Sequence, residues 1–345
     1  MEILDIVVHA ICEKKAQDVR VYDVTSLTPF MDSMIVCSTT NIRQNNAIAQ
    51  NIKDRLREAG YMGDMHIEGD SGSKWLLIDL KEVVVHLFVN EERQVYNLDR
   101  LYSDVPVKRM IYNTLAHYYD ALVKDEEASR EWVSWIESEL APCDCLELAC
   151  GSGEITEMLA KKGYTMTALD LSEEMVKQAK SKNLEGSIQF LCQDMRNLSN
   201  LGSYSGIFCL CDSFNYILEK EEIDAFFHEV SQHLKPNGLF FFDTHSLDRL
   251  DEFDSEYNET GAFEDGCQYQ WSIMAEDDYV YQDFAFYMKD KVVQEHHIQR
   301  VYDPIWLNDT LSKYFDVLKV TTDFDIEGIA PGEKYFYVCR KKVQE

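Results

Sequence analysis

Between residues 144 and 243 the chain alternates short apolar runs with amphipathic helical stretches, and this alternation constrains its fold more than any other feature. Strands that are apolar on both faces are covered on both faces, and helices spaced between them imply a parallel sheet. Leu146-Glu147-Leu148 leads into a helix carrying Ile155, Met158 and Leu159, which ends at Lys161-Lys162-Gly163. Met166-Thr167-Ala168-Leu169 precedes a helix with Ser172 as N-cap. Its first turn holds Glu173 and Glu174, and Lys177, Lys180 and Lys182 come late, the charge order that the helix dipole favours. Two more strand-like runs, 188–191 and 206–210, are followed by a helix through Ile223, Phe226, Phe227 and Val230. Lys235-Pro236-Asn237-Gly238 then turns the chain into Leu239-Phe240-Phe241-Phe242.

A chain of 345 residues exceeds what one hydrophobic core usually organises, so two domains are expected. Charge supports a division: residues 1–105 hold 11 basic and 17 acidic residues, and 106–345 hold 22 and 45. Pro106 disfavours helix at the residue before it, which predicts a linker around 103–108 and domains of 1–105 and 106–345. The first domain opens with Ile3, Ile6, Val7, Ala10 and Ile11 at helical spacing, followed by strand-like stretches at 19–24 and 34–37. A helix through Ile48, Ile52 and Leu56 stops at Gly60. Trp75-Leu76-Leu77-Ile78 and the run 83–88 predict a hairpin, which completes a small α/β domain with a mixed sheet.

The formal charge of −29 repels phosphate and argues against broad binding of nucleic acid or of an anionic membrane. No apolar stretch reaches the roughly 18 residues of a membrane span, and no basic region precedes an apolar one at the N-terminus. The expectation is a cytoplasmic protein whose ten cysteines are reduced thiols. Cys143/Cys145 and Cys209/Cys211 have no second pair or histidine at zinc-ligand spacing, so packing is their expected role and no metal is expected.

The sharpest motif is Glu147-Leu148-Ala149-Cys150-Gly151-Ser152-Gly153, where a strand turns into a helix and backbone N–H groups stand unpaired. Its spacing differs from G-x-G-x-x-G, so a phosphate-bridged dinucleotide is not indicated. Asp170, Asp194 and Asp243 close three further strands, and ligands of open α/β sheets bind at those ends.

These residues, with Asp212-Ser213-Phe214-Asn215-Tyr216 and Leu234-Lys235-Pro236-Asn237-Gly238, resemble class I S-adenosylmethionine-dependent methyltransferases of the subgroup typified by YqeM. The resemblance covers about residues 110–345. It implies a Rossmann-like seven-stranded domain with S-adenosylmethionine as cofactor. Glu147, Ala149, Gly151 and Gly153 would hold its methionine end, and Asp170 with Leu171 its ribose. Asp194 and Met195 would hold its adenine, and Cys211 and Asp212 would lie near the sulfonium. Ala149 departs from the glycine frequent there. The segment 112–120 resembles the subgroup's entrance helix, with Tyr112 and Tyr119 as lid residues, Tyr119 on the cofactor side and Tyr112 on the acceptor side. A sulfonium and a ribose diol are matched by carboxylates, not by the basic groups that phosphate requires.

Residues 246–302 interrupt the βα rhythm with alternating segments, predicting a β insertion after strand five that roofs the crevice. Asp212, Asn215, Tyr269, Trp271, His296 and Arg300 are candidates for binding a small-molecule acceptor, and Tyr281 and His297 are further ones. His296 and His297 point to opposite faces of one strand, which argues against a shared metal. No catalytic base is assigned. A helix through Leu307, Leu311 and Phe315 and strands at 317–320 and 335–339 complete the expected fold.

The residues of the first domain show no nucleophile–base pair, no metal set and no Gly-rich phosphate loop. Three of its segments nevertheless resemble the ribosomal silencing factor family, also called Iojap or RsfS. They are Asp32–Ser38, Arg43–Ala49 and the run from Glu68 through Trp75, Asp79, His86, Phe88 and Arg93 to Leu98. The resemblance implies a non-enzymatic domain that docks on a protein of the large ribosomal subunit and blocks subunit joining. Trp75, His86 and Tyr96 are the candidate contacts. Two readings of the whole remain open. One is a fusion of silencer and small-molecule methyltransferase. The other is a ribosome-associated protein whose second domain senses S-adenosylmethionine without catalysis or methylates a protein on the ribosome. A homodimer is also left open, and direct DNA binding is not expected.

Overall fold

The computed structural model describes residues 3–14, 16–25, 27–61, 63–96, 98–102, 118, 121–122, 125–182, 187–289 and 292–342. The expected linker at 103–108, and Tyr112 and Tyr119, lie outside them. The chain divides into two compact units, Met1–Ile111 and Tyr112–Glu345.

The first unit orders α1 (Ile3–Cys12), β1 (Gln17–Asp23), β2 (Ser33–Thr39), α2 (Ile42–Glu58), β3 (His66–Glu68), β4 (Trp75–Asp79), β5 (Val83–Val89), α3 (Asn90–Tyr96) and α4 (Leu98–Leu101). Its mixed sheet runs β1-β2-β5-β4-β3, with β2 and β5 parallel and the other pairs antiparallel. The period of two divides β2 and β5 between two cores. Ile35, Cys37, Val85 and Leu87 pack with Val7, Ile11, Ile48 and Ile52 of the helices, whereas Met34, Val36 and Phe88 join Tyr22 on the other side. Asn41 caps α2 by accepting from the Gln44 N–H at 3.0 Å. Buried Asn45 ties that helix to the sheet by accepting from Thr39 Oγ1 at 2.6 Å. The three-residue β3 adds an edge strand beyond the expected hairpin.

The second unit contains α5 (Glu126–Glu139), β6 (Asp144–Leu148), α6 (Glu154–Lys161), β7 (Thr165–Asp170), α7 (Glu173–Lys182), β8 (Gln189–Cys192) and β9 (Tyr204–Cys209). A 3₁₀ turn at Ser213–Tyr216 leads to α8 (Lys220–His233), β10 (Leu234–His245), α9 (Asp248–Glu252), β11 (Tyr257–Ala262), β12 (Gln268–Glu276), β13 (Tyr279–Tyr287) and β14 (Val292–Arg300). The last elements are α10 (Pro304–Leu311), β15 (Phe315–Thr322), β16 (Ile326–Glu327) and β17 (Lys334–Lys341). The main sheet runs β16-β15-β17-β10-β9-β6-β7-β8. It holds the seven expected strands and a two-residue edge strand, β16. Phe315 begins β15 instead of closing the preceding helix, which ends at Leu311.

Phe240 and Phe242 join α8 and α10 on one face of this sheet, and Phe241 joins α5 and α6 on the other. Both faces are therefore dry, which accounts for the unbroken apolar runs. After β6 the chain winds outward through β7 and β8, then returns to place β9 on the opposite side of β6. The β6/β9 junction is a topological switch point, where a crevice opens at the carboxyl ends of the strands. β11–β14 form a separate antiparallel sheet of four strands, as the alternating segments predicted.

Candidate functional site

The turn 149–153 bends sharply enough that Ala149, Gly151 and Gly153 all take left-handed backbone, with φ of 53°, 54° and 80°. At Gly153 a Cβ would stand 3.0 Å from both Ala179 and Phe190, so the start of α6 packs closely against α7 and β8. Ala149 bears the steric cost of that conformation, about 1 kcal/mol for an L-residue. Ala149→Gly is expected to raise stability by up to about 1 kcal/mol, part of the gain being offset by glycine's greater chain entropy when unfolded. Thermal unfolding should show a midpoint roughly 2–4 °C higher. A lower midpoint would mean that the methyl group contributes packing.

Glu147 is buried and accepts from Thr156 Oγ1 of α6 at 2.5 Å. Burial raises its carboxyl to about 7, aided by the nearby Asp170 and opposed by the Thr156 hydrogen bond. Asp170 closes the neighbouring strand, and its two oxygens accept from the Gly151 and Ser172 N–H groups at 2.8 Å each. Burial outweighs those N–H groups and moves its carboxyl up to about 6. The backbone thus orients Asp170 and leaves lone pairs on both oxygens for further donors.

Asp194 is arranged differently. Arg196 forks onto it, with Nη2 at 2.6 Å from Oδ2 and Nε at 3.0 Å from Oδ1, and Nη1 reaches Glu222 at 3.0 Å. The Asp194 carboxylate therefore has a cation of its own, and its neighbour Met195 packs against the main core.

Across the crevice, Cys211 and Asp212 both have positive φ, 56° and 51°. Lys334, at the start of β17, donates to Asp212 Oδ1 and lies 3.4 Å from Asp243 Oδ2. Asp243 Oδ2 also accepts the Asp212 N–H at 2.8 Å. Burial acts to raise the Asp212 carboxyl, but Lys334, His245 and Gln299 outweigh it and hold the group below the usual carboxylate range. Asp243, fully enclosed, is pushed by burial to about 6 despite Lys334. Burial would lower Lys334, but the two carboxylates dominate and hold it above its ordinary value. Asp243 Oδ1 has no hydrogen-bond partner among the described residues.

The acceptor candidates fall into three groups. Trp271 and Tyr269 share one face of the inserted sheet with Gln282, Phe284, His297 and Gln299, as the strand register shows. This face meets the crevice, because Gln299 Nε2 donates to Asp212 Oδ2 at 2.8 Å and the Tyr216 hydroxyl lies 3.3 Å from His297 Nδ1. His296, Arg300 and Tyr281 stand on the opposite face and are not brought to the crevice. His296 pairs with Asp283 there, and Arg300 donates to the Leu218 carbonyl at 2.8 Å while lying over the Tyr279 and Tyr302 rings. Asn215 is buried, and its bonds to Thr244 Oγ1, the Arg300 carbonyl and the His245 N–H fix the 3₁₀ turn rather than face a ligand. Tyr118 of the entrance segment stacks on Phe263 at 4.2 Å and also contacts Phe286.

Sequence reasoning missed His245, Gln299 and Lys334. The register of β10 with β17 sets His245 opposite Lys334, and that of β13 with β14 puts Gln299 on the crevice-side face; neither pairing is local in sequence. Among the described residues no group of three or more His, Cys, Asp or Glu side chains is placed to hold a metal ion.

In the first unit Trp75, His86 and Tyr96 gather around Phe88. Trp75 lies 5.0 Å from Phe88 and 4.7 Å from Tyr96, ring centre to ring centre, and its indole N–H donates to His86 Nδ1 at 3.2 Å. Burial takes His86 down to about 4, so it is neutral near pH 7. Tyr96 and its neighbour Val95 are exposed.

Residues 1–134 match the family model "Ribosomal silencing factor during starvation", and residues 145–238 match "Methyltransferase domain". A Bacillus subtilis protein described as "Putative methyltransferase YqeM" is 34% identical over 243 residues, covering 67% of this chain and 98% of the relative. The ribosomal silencing factor RsfS of the same organism is 36% identical over 105 residues, covering 30% of this chain and 88% of the relative. A solved S-adenosylmethionine-dependent methyltransferase from Clostridium acetobutylicum superposes with a TM-score of 0.58 at 29% identity, over 67% of this chain and 98% of its own.

Proposed function

The chain belongs to the YqeM methyltransferase family through its second unit and to the RsfS ribosomal silencing factors through its first, and on that footing we propose that it couples two activities. Residues 1–105 bind a protein of the large ribosomal subunit in the cytoplasm and hinder subunit joining, with Trp75, His86 and Tyr96 in the contact. Residues 106–345 transfer a methyl group from S-adenosylmethionine to a small-molecule acceptor.

The observation that carries the second reading is the convergence of Glu147, Asp170, Asp212 and Asp243 on strand ends about the β6/β9 switch point. This donor set fits a sulfonium cofactor, since acidic acceptors face a cation and a diol. The residues that would hold it are Glu147 and the 149–153 turn at the methionine end, Asp170 and Leu171 at the ribose, and Asp194 and Met195 at the adenine. Cys211 and Asp212 border the sulfonium side. When bound, the cofactor supplies a methyl group activated by positive charge. The chain's contribution is alignment, a site compatible with cations, and exclusion of water by the roof.

Calorimetric titration of the full chain with S-adenosylmethionine tests the cofactor, and transfer of labelled methyl into a cell extract tests catalysis. Binding without transfer would leave a sensor, and no binding would remove both. Sedimentation of ribosomal subunits with the full chain tests silencing: undiminished joining at saturating protein refutes it.

A pH dependence follows from the raised carboxyls. With values of about 7 and 6, Glu147 and Asp170 are partly protonated near pH 6.5, whereas a cationic ligand with hydroxyl donors favours their ionised forms. Binding at that pH is expected to release protons, and affinity to fall more than tenfold per pH unit below pH 6, approaching a hundredfold once both carboxyls are protonated. Titrations in buffers of different ionisation enthalpy read the released protons directly. Proton uptake would contradict the assignment.

A further inference from the structure

The roof is joined to the crevice by a chain of side chains in which the direction of every hydrogen bond is fixed. Lys334 donates and has no acceptor, and ionised Asp212 accepts and has no donor, so the Gln299 group 2.8 Å from Asp212 Oδ2 must be its NH₂. Gln299 Oε1 then faces the other way, accepting from Gln282 Nε2 at 2.9 Å and from His245 Nε2 at 3.0 Å. That orientation turns Gln282 Oε1 toward Trp271, whose indole N–H donates to it at 3.2 Å. Flipping either amide would set oxygen against oxygen or N–H against N–H, so the charged end dictates the neutral end. Gln299 is fully buried, and water does not substitute for its bonds without a rearrangement.

We propose that Gln299 is a positioning residue that transmits the state of the cofactor crevice at Asp212 to the acceptor-facing side of the roof at Trp271. The proposal rests on the methyltransferase reading and extends it: acceptor groups are set in place in response to the cofactor side, so the cofactor binds productively first. Asp212 borders the crevice at the end of β9, and a cation arriving there competes with Lys334 and Gln299 for its oxygens. Because neither amide can flip to make new bonds, a shift of Gln299 at Asp212 is followed by Gln282 and by the bond to Trp271.

The indole N–H of Trp271 is a direct reporter, since its proton lies in the last bond of the chain. The full chain has five tryptophans, and Trp271→Phe identifies the resonance by its loss. With S-adenosylmethionine as the probe, whose sulfonium carries the charge invoked at Asp212, and at concentrations that saturate each protein, the wild-type Trp271 resonance is expected to move. In Gln299→Met and in Gln282→Met it is expected to stay in place. The other four indole signals show whether each variant has folded, and Gln282→Met, which cuts the chain outside the buried crevice edge, serves if Gln299→Met does not fold. An equal movement in wild type and folded variants overturns the proposal, as does a still resonance in wild type that binds the probe. If calorimetry shows no binding to the wild type, the cofactor reading itself falls and takes this one with it.

Discussion

Asp170→Ala is expected to weaken S-adenosylmethionine binding by at least about a hundredfold. A hydrogen bond to a charged group contributes about 1.5–3 kcal/mol, and two from a ribose diol sum to roughly 3–6, with each 1.4 kcal/mol worth a factor of ten. The substitution also leaves the Gly151 and Ser172 N–H groups without their acceptor, loosening the turn that frames the same ligand. The two losses act in one direction. Calorimetry on both proteins at pH 8, where the wild-type carboxyl at about 6 is ionised, gives the ratio. An affinity within threefold of wild type would remove Asp170 from the site, and circular dichroism would show that the variant is folded.

Lys334→Met is expected to be the most destabilising of the substitutions considered, at about 3–5 kcal/mol near pH 8. Removing one member of such an ion cluster leaves the others charged without compensation, most costly for Asp243, which is fully buried, and less so for Asp212, which like Lys334 is partly exposed. The loss should depend on pH with a definite sign. Asp243 already stands at about 6, above its unfolded value, and without the ammonium it would move higher. An acid whose folded pKa is raised binds protons more readily in the folded state, so stability rises as pH falls through that pKa. The deficit of the variant in urea unfolding should therefore be smaller at pH 5 than at pH 8. A deficit that grows on acidification would show that Lys334 does not neutralise these carboxylates.

What was legible in the sequence followed the periodicity of burial. Strands covered on both faces read as apolar runs, and acids at their ends read as a ligand crevice, because both signals are local. The face of β14 was not legible. Its segment Gln294-Glu295-His296-His297 is polar at consecutive positions, and Gln299-Arg300 repeats the ambiguity, so no alternation tells inside from outside. A shift of one residue exchanges the faces, and of the candidates on this strand the structure turns His297 inward beside Gln299, with His296 and Arg300 on the opposite face. Lys334 escaped notice for a different reason. It lies 122 residues from Asp212 in the chain, and only antiparallel pairing of β17 with β10 brings them together. The Arg196 fork on Asp194 lay two residues away, but a strand-end aspartate gives no sign of whether its partner is internal or a ligand.

The roof is one uninterrupted excursion, Tyr257–Arg300, leaving the main sheet after β10 and returning before α10. Tyr269, Trp271 and Phe284, aromatics on its crevice-side face, are encoded within a single stretch, apart from the residues that define the carboxylate crevice. On the proposed reading, replacing this cassette would change what is methylated while the donor side stays intact, provided an amide is retained where Gln299 makes the joint. Grafting 257–300 between family members is the corresponding engineering route to new acceptors.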